Sequence, residues 1–338
     1  MTPANTTLHG LTIFRFVAAF YVFIFHCHLR FPFEGPLWLT RFIGNGAIGM
    51  TFFFVLSGFV MAWSAQRGLR SNYYKARFAR IYPAYLFMGL LTLPFLYDLN
   101  IQKSFASIVI FLLNIQSWIP QTFSTWNFGG SWSVSTELSF YILFPFFLPI
   151  ILSNPYKSLF LSITISGALI PLVYVYSKDY IFPTYYVGPI YRLPEFISGV
   201  ALGVLVTNKN LQIKNKVRYF SFFISIFLLV LICPIRNSIY MYNNLLTVGS
   251  TLSVVYFLST INIDNKKYLH PFIYLGKISY SFYLMQLPVL MVIDKYHHFL
   301  SHYNKGFVFL SAGVINLALA IFSYHYIEEK FKLSYKNR

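Results

Sequence analysis

Apolar segments separated by short polar connections run along almost the whole chain. Most of them come close to the roughly 20 apolar residues that a membrane-crossing helix needs. The pattern predicts an all-α fold, a polytopic bundle of transmembrane helices that forms a single membrane-embedded domain over residues 1–338. The segments lie at 11–30, 44–63, 81–97, 105–119, 138–152, 158–176, 191–207, 219–235, 245–261, 272–293 and 307–326.

Basic residues are concentrated in a few of the connections, and connections rich in Lys and Arg face the cytoplasm. Two cytoplasmic connections must be separated by an even number of crossings, but five apolar segments lie between the first two clusters. We therefore expect segment 105–119, which carries Asn114 and Gln116, to re-enter the membrane without crossing it. This leaves ten crossings with both termini in the cytoplasm. The clusters are Arg67, Arg70, Lys75, Arg77 and Arg80; Lys209, Lys214, Lys216 and Arg218; Lys266 and Lys267; and Lys330, Lys332 and Lys336.

The composition is that of a membrane protein. Hydrophobic residues make up 57% of the chain, aromatic residues 21% and charged residues 10%, and the mean hydropathy is +0.59. The net charge of +17 falls mainly in the clusters that orient helices, so we expect no nucleic-acid partner. Cys27 and Cys233 both lie in apolar segments, which indicates neither a disulfide framework nor a thiol-rich metal site.

Two residues with ionisable side chains, Arg15 and His26, interrupt the first apolar segment, LTIFRFVAAFYVFIFHCHL. Eleven helical steps bring both side chains to one face, about 16 Å apart along the axis. Arg15 could instead extend to the headgroups, while His26 and His28 mark the far interface. Ionisable groups inside a membrane are functional by default, which favours a site running from Arg15 near the cytoplasmic face to His26 nearer the exterior. Because Arg15 breaks the apolar run and no basic region precedes it, we expect no cleaved signal peptide.

The chain has only nine acidic residues, and most lie in predicted connections or interfaces. A solvated role is their default, and it includes Glu328 and Glu329, which begin the predicted tail. Glu195 lies in an apolar segment three residues after Arg192. We interpret these two as an ion pair that positions a helix end, because a buried charge without a partner is costly.

Glu137 is the acidic residue that best fits a functional site. Trp132, Ser133 and Tyr141 lie close to it in sequence and offer hydrogen-bonding groups to one site. Before it comes QTFSTWNFGGSWSVSTE, a stretch rich in Gly, Ser and Trp that the predicted topology places on the outer side. An irregular backbone at membrane depth must be lined by protein or water. Such a stretch could bind a polar substrate on the outer side of the membrane.

Several small residues receive a structural interpretation. Ser57 and Gly58 in one segment, and Gly199 and Gly203 in another, are typical of membrane helices that pack closely. We assign none of them a catalytic role.

A histidine cluster follows the segment 272–293. His297, His298 and His302 have a spacing that could ligate a metal, but Asp294 is the one acidic residue placed to support them. We expect no metal site.

Seven motifs resemble, in order and over nearly the whole chain, the acyltransferase-3 family of integral membrane acyltransferases. The hallmark of that family is an Arg or Lys, ten residues and then His in the first helix, which Arg15 and His26 reproduce. Arg77 and Arg80 match its basic motif before Ile-Tyr-Pro. The motifs are LTIFRFVAAFYVFIFH, GMTFFFVLSGFVMAW, RFARIYP, GGSWSVSTELSFYILFP, RLPEFISGVALG, LGKISYSFYLMQLPV and YHYIEEKF.

The chain departs from the family pattern at two places. Where the family often has consecutive acids, Glu137 is followed by Leu138, and where His-Pro is common, this chain has Gln286 and then Pro288. The second acid and the late histidine therefore cannot be essential here. Many relatives also carry a C-terminal esterase-like domain, and the short tail makes this chain resemble the branch without it.

Acyl transfer from a thioester to a hydroxyl needs a base, groups that stabilise the developing oxyanion, and a donor site. His26 is the candidate base, and it could take the hydroxyl proton or be acylated first. The resemblance implies acetyl-CoA as donor, whose phosphates Arg77 and Arg80 could hold, with Lys75 as a weaker point charge. These arginines could also serve only as topology signals. Arg15 could bind the donor or stabilise charge near the thioester.

The resemblance implies a bacterial inner-membrane O-acetyltransferase. Its acceptor would be a surface polysaccharide, such as lipopolysaccharide O-antigen or capsule, or the lipid-linked precursor; membrane lipid and glycan-synthesis proteins are further expected partners. Two alternatives stay open. A transporter or flippase for a glycan would show internal repeats or paired broken helices, and a structural scaffold would function without His26.

Overall fold

The computed structural model describes residues 8–96, 99–169, 171–172, 183–209, 211–232, 244–261 and 267–331. The two termini that the topology prediction assigns to the cytoplasm lie outside these ranges, as do parts of the predicted segments 158–176 and 219–235. Several residues used in the sequence interpretation also lie outside the described residues: Cys233, Lys266, Lys332 and Lys336.

All regular secondary structure in the described ranges is helical, which confirms the predicted all-α fold. The helices α7 and α14 each continue into a π-helical turn, at Ile165–Leu169 and Tyr324–Glu328. In chain order the helices are α1 His9–Arg30, α2 Leu37–Gly44, α3 Ile48–Ser64, α4 Tyr73–Thr92, α5 Ile101–Leu113, α6 Phe128–Ser153, α7 Pro155–Thr164, α8 Thr184–Val187, α9 Pro189–Asn208, α10 Asn215–Phe227, α11 Asn244–Thr260, α12 His270–Lys295, α13 His297–Leu300 and α14 Lys305–Ser323.

Six helices of the described chain are long and apolar enough to cross a membrane, and a seventh crossing results if α2 and α3, bent by 44°, form one span. The protein is therefore a multi-pass membrane protein. The helix α5 has 13 residues and extends about 20 Å, less than the roughly 30 Å hydrocarbon core. The number of ten crossings stays a prediction.

The helices α3 and α9 pack closely against each other through glycines. A Cβ atom at Gly199 would lie 1.9 Å from the carbonyl oxygen of Val55, and one at Gly58 would lie 2.0 Å from that of Phe196. Gly203 likewise approaches the backbone of Phe59. The predicted packing role of these glycines is confirmed, since no side chain fits between the two backbones.

The helix α6 begins at Phe128, ten residues before the predicted segment, so the expectation of an irregular stretch up to Glu137 is wrong. The serines of its first turns are buried against the connection that follows α5. Ser135 donates to the carbonyl oxygen of Asn114 at 2.6 Å, and the Gln116 amide donates to the carbonyl oxygen of Ser131 at 3.1 Å. Polar residues that suggest a loop are thus satisfied inside the bundle.

Candidate functional site

Five helices, α1, α3, α4, α6 and α12, enclose a cavity of about 80 Å³. Its wall combines apolar side chains from α3 with an unusual number of polar and charged ones. The polar lining residues are Arg15, Ser57, Arg77, Arg80, Ser133, Glu137, Tyr141, Ser279, Tyr280 and Tyr283.

The first helix runs without a break from His9 to Arg30, so Arg15 and His26 lie on one face as the spacing predicts. Arg15 lines the cavity and His26 does not. The charged groups that act on Arg15 are Arg80, Glu137 and Glu328. The two hallmark residues therefore occupy different parts of the bundle, about 16 Å apart along α1.

Glu137 is held in the cavity wall by two hydroxyl groups. Tyr141, one turn along α6, donates to its Oε1 at 2.5 Å, and Ser57 of α3 donates to the same atom at 3.1 Å. The interpretation of Ser57 as a packing residue alone missed this contact. Its neighbour Gly58 supplies the packing, while the hydroxyl faces the carboxylate. The sequence did contain a sign of this contact, because Ser57 is a polar residue within an otherwise apolar segment.

Arg77 and Arg80, one turn apart at the start of α4, face this carboxylate region. The Arg77 guanidinium lies between two aromatic rings, 5.7 Å from the centroid of Tyr141 and 5.8 Å from that of Tyr73. Such cation–π contacts fix a guanidinium plane without neutralising it. Arg80 has Glu137 among its charged neighbours. Lys75, by contrast, is exposed and does not line the cavity.

The expectation that Glu328 is solvated is wrong. Its side chain is 2% exposed and accepts a hydrogen bond from Ser281 of α12 at 2.9 Å. The π-helical turn after α14 packs against α4 and α12, and Glu328 acts electrostatically on both Arg15 and Arg80. Local sequence places this acid at the end of an apolar segment and gives no sign of the distant arginines that it faces.

The charges around the cavity do not balance. Three guanidinium groups, of Arg15, Arg77 and Arg80, face the two carboxylates of Glu137 and Glu328. Among the described residues the excess is positive, and none of the other residues that line the cavity is charged. Guanidinium groups in such a setting bind phosphate or carboxylate oxygens well.

Hydrogen bonds connect His26 to the cavity wall through α12. His26 Nδ1 lies 3.2 Å from Oε1 of Gln286, and the Gln286 amide donates to the carbonyl oxygen of Tyr283 at 2.7 Å. Tyr283 lines the cavity, and its hydroxyl lies 2.7 Å from that of Ser133. One residue, Gln286, therefore separates the imidazole from Tyr283, whose backbone carbonyl takes part in this path and whose side chain lines the cavity.

Helical geometry separates Trp132 from the other candidates on α6. Ser133, Glu137 and Tyr141 recur every four residues and share the face that lines the cavity. Trp132 points about 100° away. Its ring lies 4.8 Å from that of Tyr186 and 6.0 Å from the Arg192 guanidinium. The structure thus brings Arg15, Arg77, Arg80, Ser133, Glu137 and Tyr141 together and leaves Trp132 outside the cavity.

Arg192 and Glu195 form the ion pair that their spacing predicts. Arg192 Nη2 lies 3.1 Å from Glu195 Oε2, and both side chains are fully buried. The Arg192 guanidinium also lies over the ring of Phe54 at 5.0 Å. This pair braces α9 against α3 and α6, away from the cavity.

In the described part of the chain, no three His, Cys, Asp or Glu residues are close enough to hold a metal ion. The imidazole of His297 stacks on the ring of Phe31, with centroids 4.4 Å apart. The rings of His298 and His302 lie 5.5 Å apart, and both residues are exposed.

Comparison with known proteins agrees with the motif pattern. The acyltransferase-3 family model, described as an acyltransferase domain, matches residues 8–325. The acyltransferase MdmB of Streptomyces mycarofaciens is 30% identical over 194 residues, which cover 53% of this chain and 49% of the relative. The O-acetyltransferase OatA of Staphylococcus aureus is 24% identical over 360 residues, which cover 95% of this chain and 56% of the relative.

The chain spans about half the length of these curated relatives. No solved structure matches it significantly. The family model nevertheless covers almost every described helix, from α1 to the π-helical turn after α14. The chain belongs to the acyltransferase-3 family of integral membrane acyltransferases.

Proposed function

We propose that this protein is a bacterial inner-membrane O-acetyltransferase that moves an acetyl group from acetyl-CoA to a hydroxyl of a surface polysaccharide, such as lipopolysaccharide O-antigen or capsule, or of its lipid-linked precursor. The observation that carries the proposal is the cavity with three arginines in its wall, on whose lining residue Tyr283 the partner of His26, Gln286, is hydrogen-bonded. Family membership and the O-acetyltransferase among the relatives support the reaction class.

The donor site is the arginine-lined cavity. Acetyl-CoA carries several phosphates, and Arg77 and Arg80 offer paired donors to phosphate oxygens. Together with Arg15 these arginines leave one excess positive charge after Glu137 and Glu328 are counted. Arg15, deeper in the same wall, binds the donor or stabilises charge near the thioester. In the predicted topology these arginines lie toward the cytoplasm, which is where acetyl-CoA is found.

His26 acts as the base. The acceptor hydroxyl attacks the thioester carbonyl, its proton passes to the neutral imidazole, and the departing thiolate takes that proton back as the carbon–sulfur bond breaks. In the second route the imidazole is acylated first and then passes the acyl group to the hydroxyl. The pantetheine arm of CoA is long and flexible, so its phosphates can stay at the arginines while its thioester approaches His26.

The predicted orientation in the membrane places the donor and the acceptor on opposite sides. With both termini in the cytoplasm, His26 lies on the outer half of α1, where a glycan or lipid-linked glycan reaches the membrane surface. The donor enters from one side and the acceptor from the other. Membrane lipid surrounds the bundle, and glycan-synthesis proteins are the partners that would deliver the acceptor. Ser133 and Tyr141 line the proposed donor cavity, whereas Trp132 packs against Tyr186 outside it.

The test compares wild type, His26→Ala and the exposed control His302→Ala in a strain that lacks the gene, at equal membrane levels. Proton NMR of purified surface polysaccharide measures ester-linked acetate. We expect acetate with wild type and with the control, and its loss with His26→Ala. Acetate unchanged in His26→Ala would refute the role of His26. Proteoliposomes supplied with labelled acetyl-CoA test the donor, and a protein that moves glycan without acetylating it would favour a transporter.

A further inference from the structure

His26 is paired with a residue on a helix far away in the sequence. Its Nδ1 lies 3.2 Å from Oε1 of Gln286, which is completely buried in α12. The orientation of the Gln286 amide follows from its second bond. Its Nε2 lies 2.7 Å from the carbonyl oxygen of Tyr283, and only the amide nitrogen can donate to a carbonyl. The amide oxygen therefore faces His26 as an acceptor.

An acceptor at Nδ1 decides which nitrogen of a neutral imidazole carries the proton. Nδ1–H donates to Oε1 of Gln286, so the lone pair stays on Nε2. Only a nitrogen with a lone pair can take a proton from a hydroxyl or attack an acyl carbon. A ring in the other tautomer would present its lone pair to Gln286, which has no hydrogen free at that oxygen.

The Gln286 side chain is held in the orientation that favours the Nδ1–H tautomer of His26. Its bond to the Tyr283 carbonyl lies within α12, one turn back, so the helix itself fixes the amide plane. Tyr283 in turn bonds to Ser133 in the cavity wall. The helix α12 therefore contacts both His26 and the proposed donor cavity.

We propose that Gln286 is a positioning residue that holds the neutral imidazole of His26 in the Nδ1–H tautomer and leaves Nε2 as the reacting nitrogen. The catalytic consequence rests on the proposed function, in which His26 is the base. The tautomer itself does not depend on it and can be measured separately.

The experiment uses the full chain in lipid bilayers with ¹⁵N-labelled histidine, because ¹⁵N NMR distinguishes a protonated ring nitrogen from one with a lone pair. The His26→Ala spectrum identifies the His26 signals among eight histidines. Wild type is expected to carry the proton on Nδ1. Gln286→Met keeps the size but removes the acceptor, so the preference for Nδ1–H is lost and kcat falls about 10- to 100-fold, with KM for acetyl-CoA unchanged.

Two further variants separate positioning from packing. Gln286→Glu keeps an acceptor oxygen for Nδ1–H but loses the bond to the Tyr283 carbonyl. It is expected to return the proton to Nδ1 and to recover only part of kcat. Gln116→Met removes a buried amide that bonds to Tyr85 and Ser131 and does not contact His26. It is expected to leave the His26 tautomer as in wild type.

A wild-type spectrum with the proton on Nε2 overturns the proposal, and so does Gln286→Met with an unchanged tautomer and kcat. Full activity of His26→Ala refutes the role of His26 in the proposed function, and with it the catalytic half of this inference. The assignment of the His26 tautomer is tested by the wild-type and Gln286→Met spectra alone.

Discussion

Replacing Gly58 by alanine is expected to force α3 away from α9. A Cβ atom at this position would lie 2.0 Å from the carbonyl oxygen of Phe196 and 2.8 Å from the backbone nitrogen of Val200. Backbone atoms cannot rotate away as a flexible side chain does. The helices must separate by about 1 Å before the contact becomes tolerable, and overpacking of this kind costs about 1–3 kcal/mol.

The same displacement is expected to lower activity. Ser57 precedes Gly58 and donates to Glu137 at 3.1 Å. A shift of α3 by about 1 Å is large compared with the tolerance of a hydrogen bond, so we expect this bond to weaken or break. Loss of a hydrogen bond to a charged group in the cavity wall should reduce acetyl transfer about tenfold or more.

The assay is thermal unfolding in detergent together with acetyl transfer in the same preparation. Gly249→Ala on α11 is the matched control, because a Cβ atom there meets nothing within 4 Å. This control should gain about 0.5–1 kcal/mol from its better helix propensity. If Gly58→Ala unfolds at the same temperature as Gly249→Ala, the argument from close backbone approach is refuted.

Three further predictions concern charged residues. Glu195→Gln weakens the neutralisation of the fully buried Arg192 and should cost about 3–5 kcal/mol, so a detergent-solubilised yield and unfolding temperature equal to wild type would contradict the buried pair. If acetyl-CoA is the donor, as proposed, Arg80→Gln should raise its KM about tenfold in proteoliposomes and weaken the dependence of KM on salt. An unchanged KM would remove Arg80 from the proposed donor site. The Lys305 ammonium, 2.6 Å away, lowers the pKa of the exposed Glu34 carboxyl by hydrogen bonding and charge. The small stabilisation from this pair is therefore present above the unfolded pKa and is lost as the pH falls through the folded pKa, so unfolding curves of wild type and Lys305→Ala should converge in acid.

Periodicity and spacing predicted the parts of the site that lie on one helix. The shared face of Arg15 and His26 follows from their separation of eleven residues, and the ion pair of Arg192 and Glu195 from a separation of three. The packing glycines were recognisable because small residues in apolar helices have few other uses. The first two of these conclusions need only the geometry of a single helix.

Contacts between distant helices could not be predicted in this way. Gln286 meets His26 across 260 positions, and Glu328 faces arginines near the other end of the chain. The early start of α6 was missed for a related reason. Serines and glycines favour turns locally, but here Gln116 and Asn114 satisfy the serine-rich first turns from another element. Contacts with distant residues determine where such a helix begins, and the local sequence does not identify those residues.

The burial of Glu328 against Arg15 and Arg80 has a consequence for biogenesis. The charged cavity draws on the first described helix and on the turn that follows α14, so its charges approach balance only after nearly every helix has been inserted. Until then Arg15 lies in an apolar helix without Glu328, one of its two carboxylate neighbours. A chain halted before α14 would therefore contain a cationic site that lacks one of its two carboxylate neighbours.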